Sequence, residues 1–298
     1  MGSPQDGAYL LLSQHASGFM VSQVLFAACE LGVFDLLAET PGPLDAAAIA
    51  EGLGTSFQGT ERLLEACVPL QLLDVDTRGG RAVYRNSGLA SAFLTRRGPR
   101  SQRHMLLYLG RTTYHCWAHL AEAVRQGGNQ YPRAFGVAAG DLWAAIYRSP
   151  GERRQFTRGL QEVWSVEGRA VLTAFDLSAF PRICDLGGDF FQDPLPEADL
   201  YILARVLHDW AEDKCSQLLA RVHQACRPGG GVLVVESLLD EDRRGPLTTL
   251  LFSLNMLVQA EGQERTPSQY RRLLAAAGFP RFRFQKTGGT YDAVLAGK

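Results

Sequence analysis

The chain has 298 residues, 46% of them hydrophobic and 20% charged, with a formal net charge of −1. That balance is ordinary for a globular protein and gives no electrostatic reason to expect nucleic acid or an anionic membrane as partner. No uninterrupted apolar run approaches the ~20 residues of a membrane span, and the opening MGSPQDGAYLLLSQHASGF has no basic region of the kind that starts a secretory signal.

At ~150 residues per domain the length allows two domains. YLLLSQHASGFMVSQVLFAACELGVFDLLAE, within residues 7–40, has apolar residues on nearly every face and predicts a buried helix, packed in its own domain or against a second subunit. LDAAAIAEGLGTS and GTERLLEACVPLQLLDV follow as helices, the second with Thr60 as N-cap. Two alternating runs around Gly79-Gly80 then predict a hairpin. Helix, helix, hairpin is the order of a winged helix. The charge balance and the acidic Asp74 and Asp76 argue against its use on DNA. Residues 101–175 read as further helix, including DLWAAIYRS. From Arg182 short apolar runs appear: RICDL, ADLYILARVL and GVLVVESL. An amphipathic helix ending at Pro228-Gly229 lies between the last two, which marks a parallel α/β sheet. TPSQYRRLLAAAGF predicts a helix with Thr266 as N-cap and Pro267 in its first turn. FRFQKT and YDAVLAG alternate and close the sheet as antiparallel strands. The six cysteines (Cys29, Cys67, Cys116, Cys184, Cys215, Cys226) form no CxxC pair and read as free thiols in a reducing, cytoplasmic setting. His115 and His119 have i,i+4 spacing but no accompanying HExxH glutamate, so an ordinary helix face is expected and no metal centre.

Ligands of open α/β sheets bind at the carboxyl ends of the strands. Those ends carry Asp185, Gly187 and Gly188; His208, Asp209 and Trp210; and Glu236. An imidazole titrating near ~6.5 suits a general base, and a base needs an orienting carboxylate. Glu236 and Glu264 are both candidates. Spacing alone equally allows His208-Asp209 to be a capping pair for a helix starting at Ala211.

The segments VSQVLFAACELGVFDLL, CDLGG, GDFF, LHDW, VVESLL, EGQERT and AAGF, spread over nearly the whole chain, resemble the plant-type small-molecule O-methyltransferases that use S-adenosylmethionine. The resemblance implies an α/β protein: a helical, winged-helix-like dimerisation domain over residues 1–105, then a Rossmann-like class I methyltransferase sheet over 106–298. It implies S-adenosylmethionine as cofactor without a metal, a small-molecule hydroxyindole as acceptor, and a dimer. His208 matches the base that takes the acceptor's phenolic proton, with Glu236 and Glu264 holding it. Asp209, Asn255 and Gln259 match acceptor contacts. Tyr147, Trp164 and Arg205 match cofactor contacts, Asp185, Gly187 and Gly188 the Gly-rich turn, and Asp189 and Phe190 the adenosine pocket.

The sequence departs from the family at one place. The family pattern runs from CDLGG through further glycines, a helix, a strand ending in an acidic residue, and another helix and strand before GDFF. Here CDLGG meets DFF directly, and Gly188 serves both motifs. A βαβ unit takes ~30 residues, so more than one unit is absent. The acidic residue ~20 positions past the Gly-rich turn that holds a ribose has no counterpart. About 20 residues past Gly188 stands His208. RICDL, without its neighbour, becomes an apolar edge strand. The clean join, with both flanks matching, predicts an in-frame internal deletion at 188/189 such as exon skipping, a shortened sheet and weakened cofactor binding. It also allows an impaired chain that forms a mixed dimer with a full-length one.

Overall fold

The computed structural model describes residues 4–137 and 142–298. Packing divides the chain into two units, the first comprising residues up to Tyr114 with Tyr147–Ser165, the second His115–Ile146 with Val166–Lys298. Neither unit is one uninterrupted stretch.

In the first unit, the helix Pro4–Leu31 leads through Gly32, in a left-handed conformation (φ 85°), into the helix Val33–Glu39. The C-terminal part of the long helix joins the core through Val24, Leu25, Ala28 and Cys29. Its N-terminal part leaves Tyr9, Leu10, Leu11, Leu12, Phe19, Met20 and Val21 exposed. Gly7–Leu31 is long and apolar enough, by length and composition, to cross a membrane. That corrects the expectation drawn from uninterrupted runs, because Ser, Gln and His interrupt this apolar stretch without adding formal charge at neutral pH.

Strand β1 (Leu44–Asp45) precedes the helices Ala46–Leu53 and Phe57–Cys67. Asp45 caps the first, accepting a hydrogen bond from Ala48 N–H at 2.9 Å. Ser56 caps the second, accepting from Gly59 N–H at 3.2 Å. Thr60, expected at the cap, lies inside that helix and is buried, its hydroxyl 2.6 Å from Thr55 Oγ1. Ser56 already supplies a cap oxygen one residue before the first helical position, so the helix starts a turn earlier. β2 (Leu73–Arg78) and β3 (Arg81–Asn86) form the predicted hairpin, turning on Gly79 and Gly80, both at positive φ (56° and 77°). A two-residue turn of that hand matches strand twist. Phe34, Ile49, Leu64 and Leu73 fill the core beneath it.

The second unit holds a five-stranded mixed sheet in the order β4-β5-β6-β8-β7. β4 (Ile183–Asp185), β5 (Ala198–Ala204) and β6 (Cys226–Glu236) are parallel; β7 (Arg281–Gln285) and β8 (Asp292–Gly297) return antiparallel. The helix Glu212–Ala225 packs Leu218, Leu219 and Val222 into the sheet core. It ends earlier than the expected Pro228-Gly229, because Cys226 already enters β6 and Gly230 passes where a Cβ would lie 2.4 Å from Asp199 O. The helix Pro267–Ala276 carries the expected Thr266 cap, completed into a capping box by Gln269. Of the expected helix DLWAAIYRS, Asp141 lies outside the described residues, and Leu142–Ile146 is helical.

β4 is the sheet edge, and Ile183 is 49% exposed. Residues 186–197 join β4 to β5 with no helix. Parallel neighbours are ordinarily joined through a helix that also covers the sheet face, so this edge is bare in the way the abrupt CDLGG-DFF join implies.

Candidate active site

β5 ends at Ala204, and Arg205 follows with φ 56°. A non-glycine residue in the left-handed region is strained and marks a place where the chain is held by its surroundings. Here Arg205 N–H donates to Val235 O at 2.9 Å and the guanidinium lies over the Tyr291 ring. The reversal drops Leu207–Asp209 into one 3-10 turn, so LHD is neither a strand extension nor the cap of the next helix. Ala211 holds that cap position without a side-chain bond.

Glu236, the last residue of β6, is fully buried beside this turn. Its Oε1 accepts hydrogen bonds from the backbone N–H groups of Val206 (3.2 Å), Leu207 (2.9 Å) and His208 (3.3 Å). Glu236 therefore fixes the main chain under the histidine. Its other oxygen is 3.4 Å from His208 Nδ1. Glu264, also fully buried, holds the ring itself, with Oε1 2.8 Å from Nδ1. Asp209 Oδ1 lies 3.5 Å from the other nitrogen, Nε2. With Nδ1–H donated to Glu264, Nε2 carries the lone pair of the neutral ring.

Burial disfavours the His208 imidazolium, but Glu236, Glu264 and Asp209 outweigh it and raise the histidine well above 6.5. Burial pushes Glu236 up to about 7 despite the opposing His208 charge, with Glu264 and Asp209 adding to the rise. Burial likewise raises Asp209, against His208. Three carboxyl groups around one imidazole make a proton-rich site. His208, Glu236 and Glu264 bring ligand-type atoms within 4.8 Å of one another, a spacing that would suit a metal ion. The hydrogen bonds from the turn and from Nδ1 already occupy one oxygen of each glutamate.

Two residues of the EGQERT loop went unassigned in the sequence. Arg265, buried, donates to Leu207 O (2.8 Å) and Trp210 O (3.2 Å), clamping the turn from its carbonyl side. Gly262 passes so close that a Cβ would lie 2.1 Å from His208 O. Their motif neighbours were the only signal for them, since a clamp between loops leaves no spacing pattern.

Asn255 and Gln259 sit one turn apart on the helix Leu247–Gln259. They are joined to Trp117 and Tyr131: Trp117 Nε1–H donates to Asn255 Oδ1 at 2.8 Å, and Tyr131 O–H to Gln259 Oε1 at 3.1 Å. Tyr147 and Trp164 belong to the first unit; Tyr147 faces Phe156 at 6.3 Å, with Arg153 over its ring.

The expected cofactor residues turn in on themselves. Asp185 ends β4, where burial raises its carboxyl. Gly188 takes φ 79°. Asp189 Oδ1 accepts from the N–H groups of Phe191 (3.1 Å) and Gln192 (3.2 Å), while Asp189 N–H donates to Asp193 Oδ2 (3.0 Å). Phe190 and Phe191 pack edge-on against Trp210, at 6.3 and 4.9 Å. No helix starts after the Gly-rich turn, so the N-terminal dipole and free N–H groups that such a turn usually offers a ligand are missing.

A model of the O-methyltransferase domain matches residues 117–189 and again 186–280, and one of the O-methyltransferase dimerisation domain matches 13–96. The chain belongs to the O-methyltransferase family. The two domain matches share Leu186–Asp189, so these four residues serve both sides of the join. Among relatives, human acetylserotonin O-methyltransferase is 59% identical over 345 aligned positions, covering all of both chains. Bovine acetylserotonin O-methyltransferase is 58% and the chicken enzyme 48% identical, again over all of both. Against 345 aligned positions this chain supplies 298 residues, so 47 positions have no counterpart in it. The crystal structure of human N-acetylserotonin methyltransferase in complex with SAM superposes with a TM-score of 0.97 at 60% identity, covering 100% of this chain and 99% of that one. The helical dimerisation region followed by a Rossmann-like mixed sheet is the fold of this O-methyltransferase family.

Proposed function

We propose that the reaction built into this fold is transfer of a methyl group from S-adenosylmethionine to the hydroxyl of N-acetylserotonin, giving melatonin, with His208 as general base, and that this chain is impaired in it. The observation that carries the acceptor side is the buried His208–Glu264 bond, with Nε2 left as the basic atom. The full-length similarity to acetylserotonin O-methyltransferases supports N-acetylserotonin as the substrate. A phenol with pKa near ~10 is a weak nucleophile at neutral pH, and a positioned imidazole, in the neutral form that its raised pKa shifts toward higher pH, removes its proton as it attacks. Glu264 fixes the ring's tautomer and orientation, Glu236 and Arg265 hold the turn from its two sides, and the three carboxyl groups stabilise the imidazolium that forms.

The residues present fit the acceptor better than the donor. The turn after β4 leads into no helix, Asp189 is engaged by its own turn, and nothing follows at the ribose-binding distance. We attribute this to an in-frame omission such as exon skipping, in a cytoplasmic enzyme whose thiols stay reduced. On the helix Pro4–Leu31 the exposed Phe19, Met20 and Val21 lie within the dimerisation match and Tyr9, Leu10, Leu11 and Leu12 directly precede it, which favours a second role, pairing with another copy or with a longer chain. One assay series separates these readings: methyl transfer to N-acetylserotonin by this chain, by the chain with the 47 positions restored from a relative, and by both co-expressed. We expect turnover only in the restored chain, reduced in mixed dimers. Equal turnover in the short chain contradicts the impairment.

A further inference from the structure

We propose that Trp117 fixes the polarity of Asn255, so that this position offers only hydrogen-bond donors and selects acceptors bearing an acyl oxygen over those bearing an ammonium. The inference rests on the reading of Asn255 as an acceptor contact.

The two ends of a side-chain amide look alike, and their assignment follows from their neighbours. The indole N–H of Trp117 is a donor only. At 2.8 Å it obliges Asn255 to turn its oxygen inward. Gln259 Nε2 donates to the same oxygen at 2.5 Å, which leaves Gln259 Oε1 to accept from the Tyr131 hydroxyl at 3.1 Å. Tyr131 is fully buried, so the far end of the chain of bonds is anchored in the core. One donor-only group thus sets the direction of every bond in the series. Two donors occupy both lone pairs of Asn255 Oδ1, and the NH₂ group is what Asn255 has left to offer.

The position of this group relative to His208 follows from the helix. Glu261 N–H, just past the helix end, donates to Asp209 O at 3.1 Å. Asn255 stands four residues before the helix end at Gln259, about 6 Å along the axis at 1.5 Å per residue, and the non-helical Ala260 and Glu261 carry the chain on to that bond. An acceptor with its hydroxyl at His208 therefore meets Asn255 with the substituent on the far side of its ring. An acyl oxygen there accepts from the NH₂ group. An ammonium there faces a donor with a donor, and both lose their water partners without compensation.

Isothermal titration of the purified chain with N-acetylserotonin, serotonin and 5-hydroxyindole tests this, with circular dichroism confirming that each variant is folded. The intact chain is expected to bind N-acetylserotonin about tenfold or more tighter than serotonin. Trp117→Phe keeps the ring packing and removes the N–H; the ratio should fall toward one while 5-hydroxyindole affinity stays within about twofold. Asn255→Asp still accepts from Trp117 and Gln259 but presents an anionic oxygen to the ligand, so the preference should invert toward serotonin. An unchanged ratio in Trp117→Phe, or an Asn255→Asp chain that still prefers the acyl compound, overturns the proposal. Failure of the intact chain to bind 5-hydroxyindole would instead refute the hydroxyindole reading, and this inference with it.

Discussion

Glu236 and Glu264 divide one task that the sequence could only assign to them jointly. Both were nominated as partners of His208 because both sit near a strand end or catalytic-loop motif. Which one holds the ring depends on oxygen positions, and these are set by the reversal at Arg205, for which no residue pattern gives notice. In the fold Glu264 takes the ring nitrogen and Glu236 takes three backbone N–H groups. His208 is raised well above 6.5 and Glu236 to about 7, so the folded site holds more protons near neutrality than the unfolded chain does. For both groups the stabilising contribution is complete below the unfolded pKa and is lost as pH rises through the folded one. Glu264→Gln removes a carboxylate from the imidazolium. NMR titration should therefore show the His208 proton leaving at lower pH than in the intact chain, with a loss of about 1.5–3 kcal/mol of stability where the histidine is charged. A His208 titration that does not move in Glu264→Gln would show that the ring is held by something else.

Elements with a strong local pattern were legible from sequence. The Gly79-Gly80 hairpin, the Thr266-Pro267 helix start and the antiparallel closing strands formed where alternation and caps placed them, because each is decided by neighbouring residues. The errors fell where a nearby alternative won: Ser56 displaced Thr60 as a cap, and Cys226 left its helix for β6 before Pro228. The edge position of β4 was legible for a different reason, since the absence of a following helix can be read directly from the CDLGG-DFF join. Its physical consequence is an apolar side chain, Ile183, on an uncovered strand with unpaired backbone groups. Ile183→Lys places a charge on that edge. It should reduce light scattering on heating while changing folded stability by no more than about 0.5 kcal/mol. Scattering as strong as that of the intact chain would place the aggregating surface elsewhere, with the exposed residues of the N-terminal helix next to be tested.

At the scale of the molecule, the chain on the proposed reading keeps one half of a reaction site and interrupts the other. His208, Asp209, Glu236, Glu264, Asn255 and Gln259 follow the omitted segment in sequence, and their strands and helices form regardless of it. On the same reading the donor side needs structure between Gly188 and Asp189; in this chain the residues just past the join bond among themselves, Asp189 N–H to Asp193 Oδ2 and Phe191 N–H to Asp189 Oδ1. The most direct test is isothermal titration with S-adenosylmethionine of this chain beside the chain with its 47 missing positions restored. Binding about 100-fold or more weaker in the short chain is the expected result, corresponding to about 2.7 kcal/mol of lost contacts. Equal, micromolar binding by both chains would contradict the account.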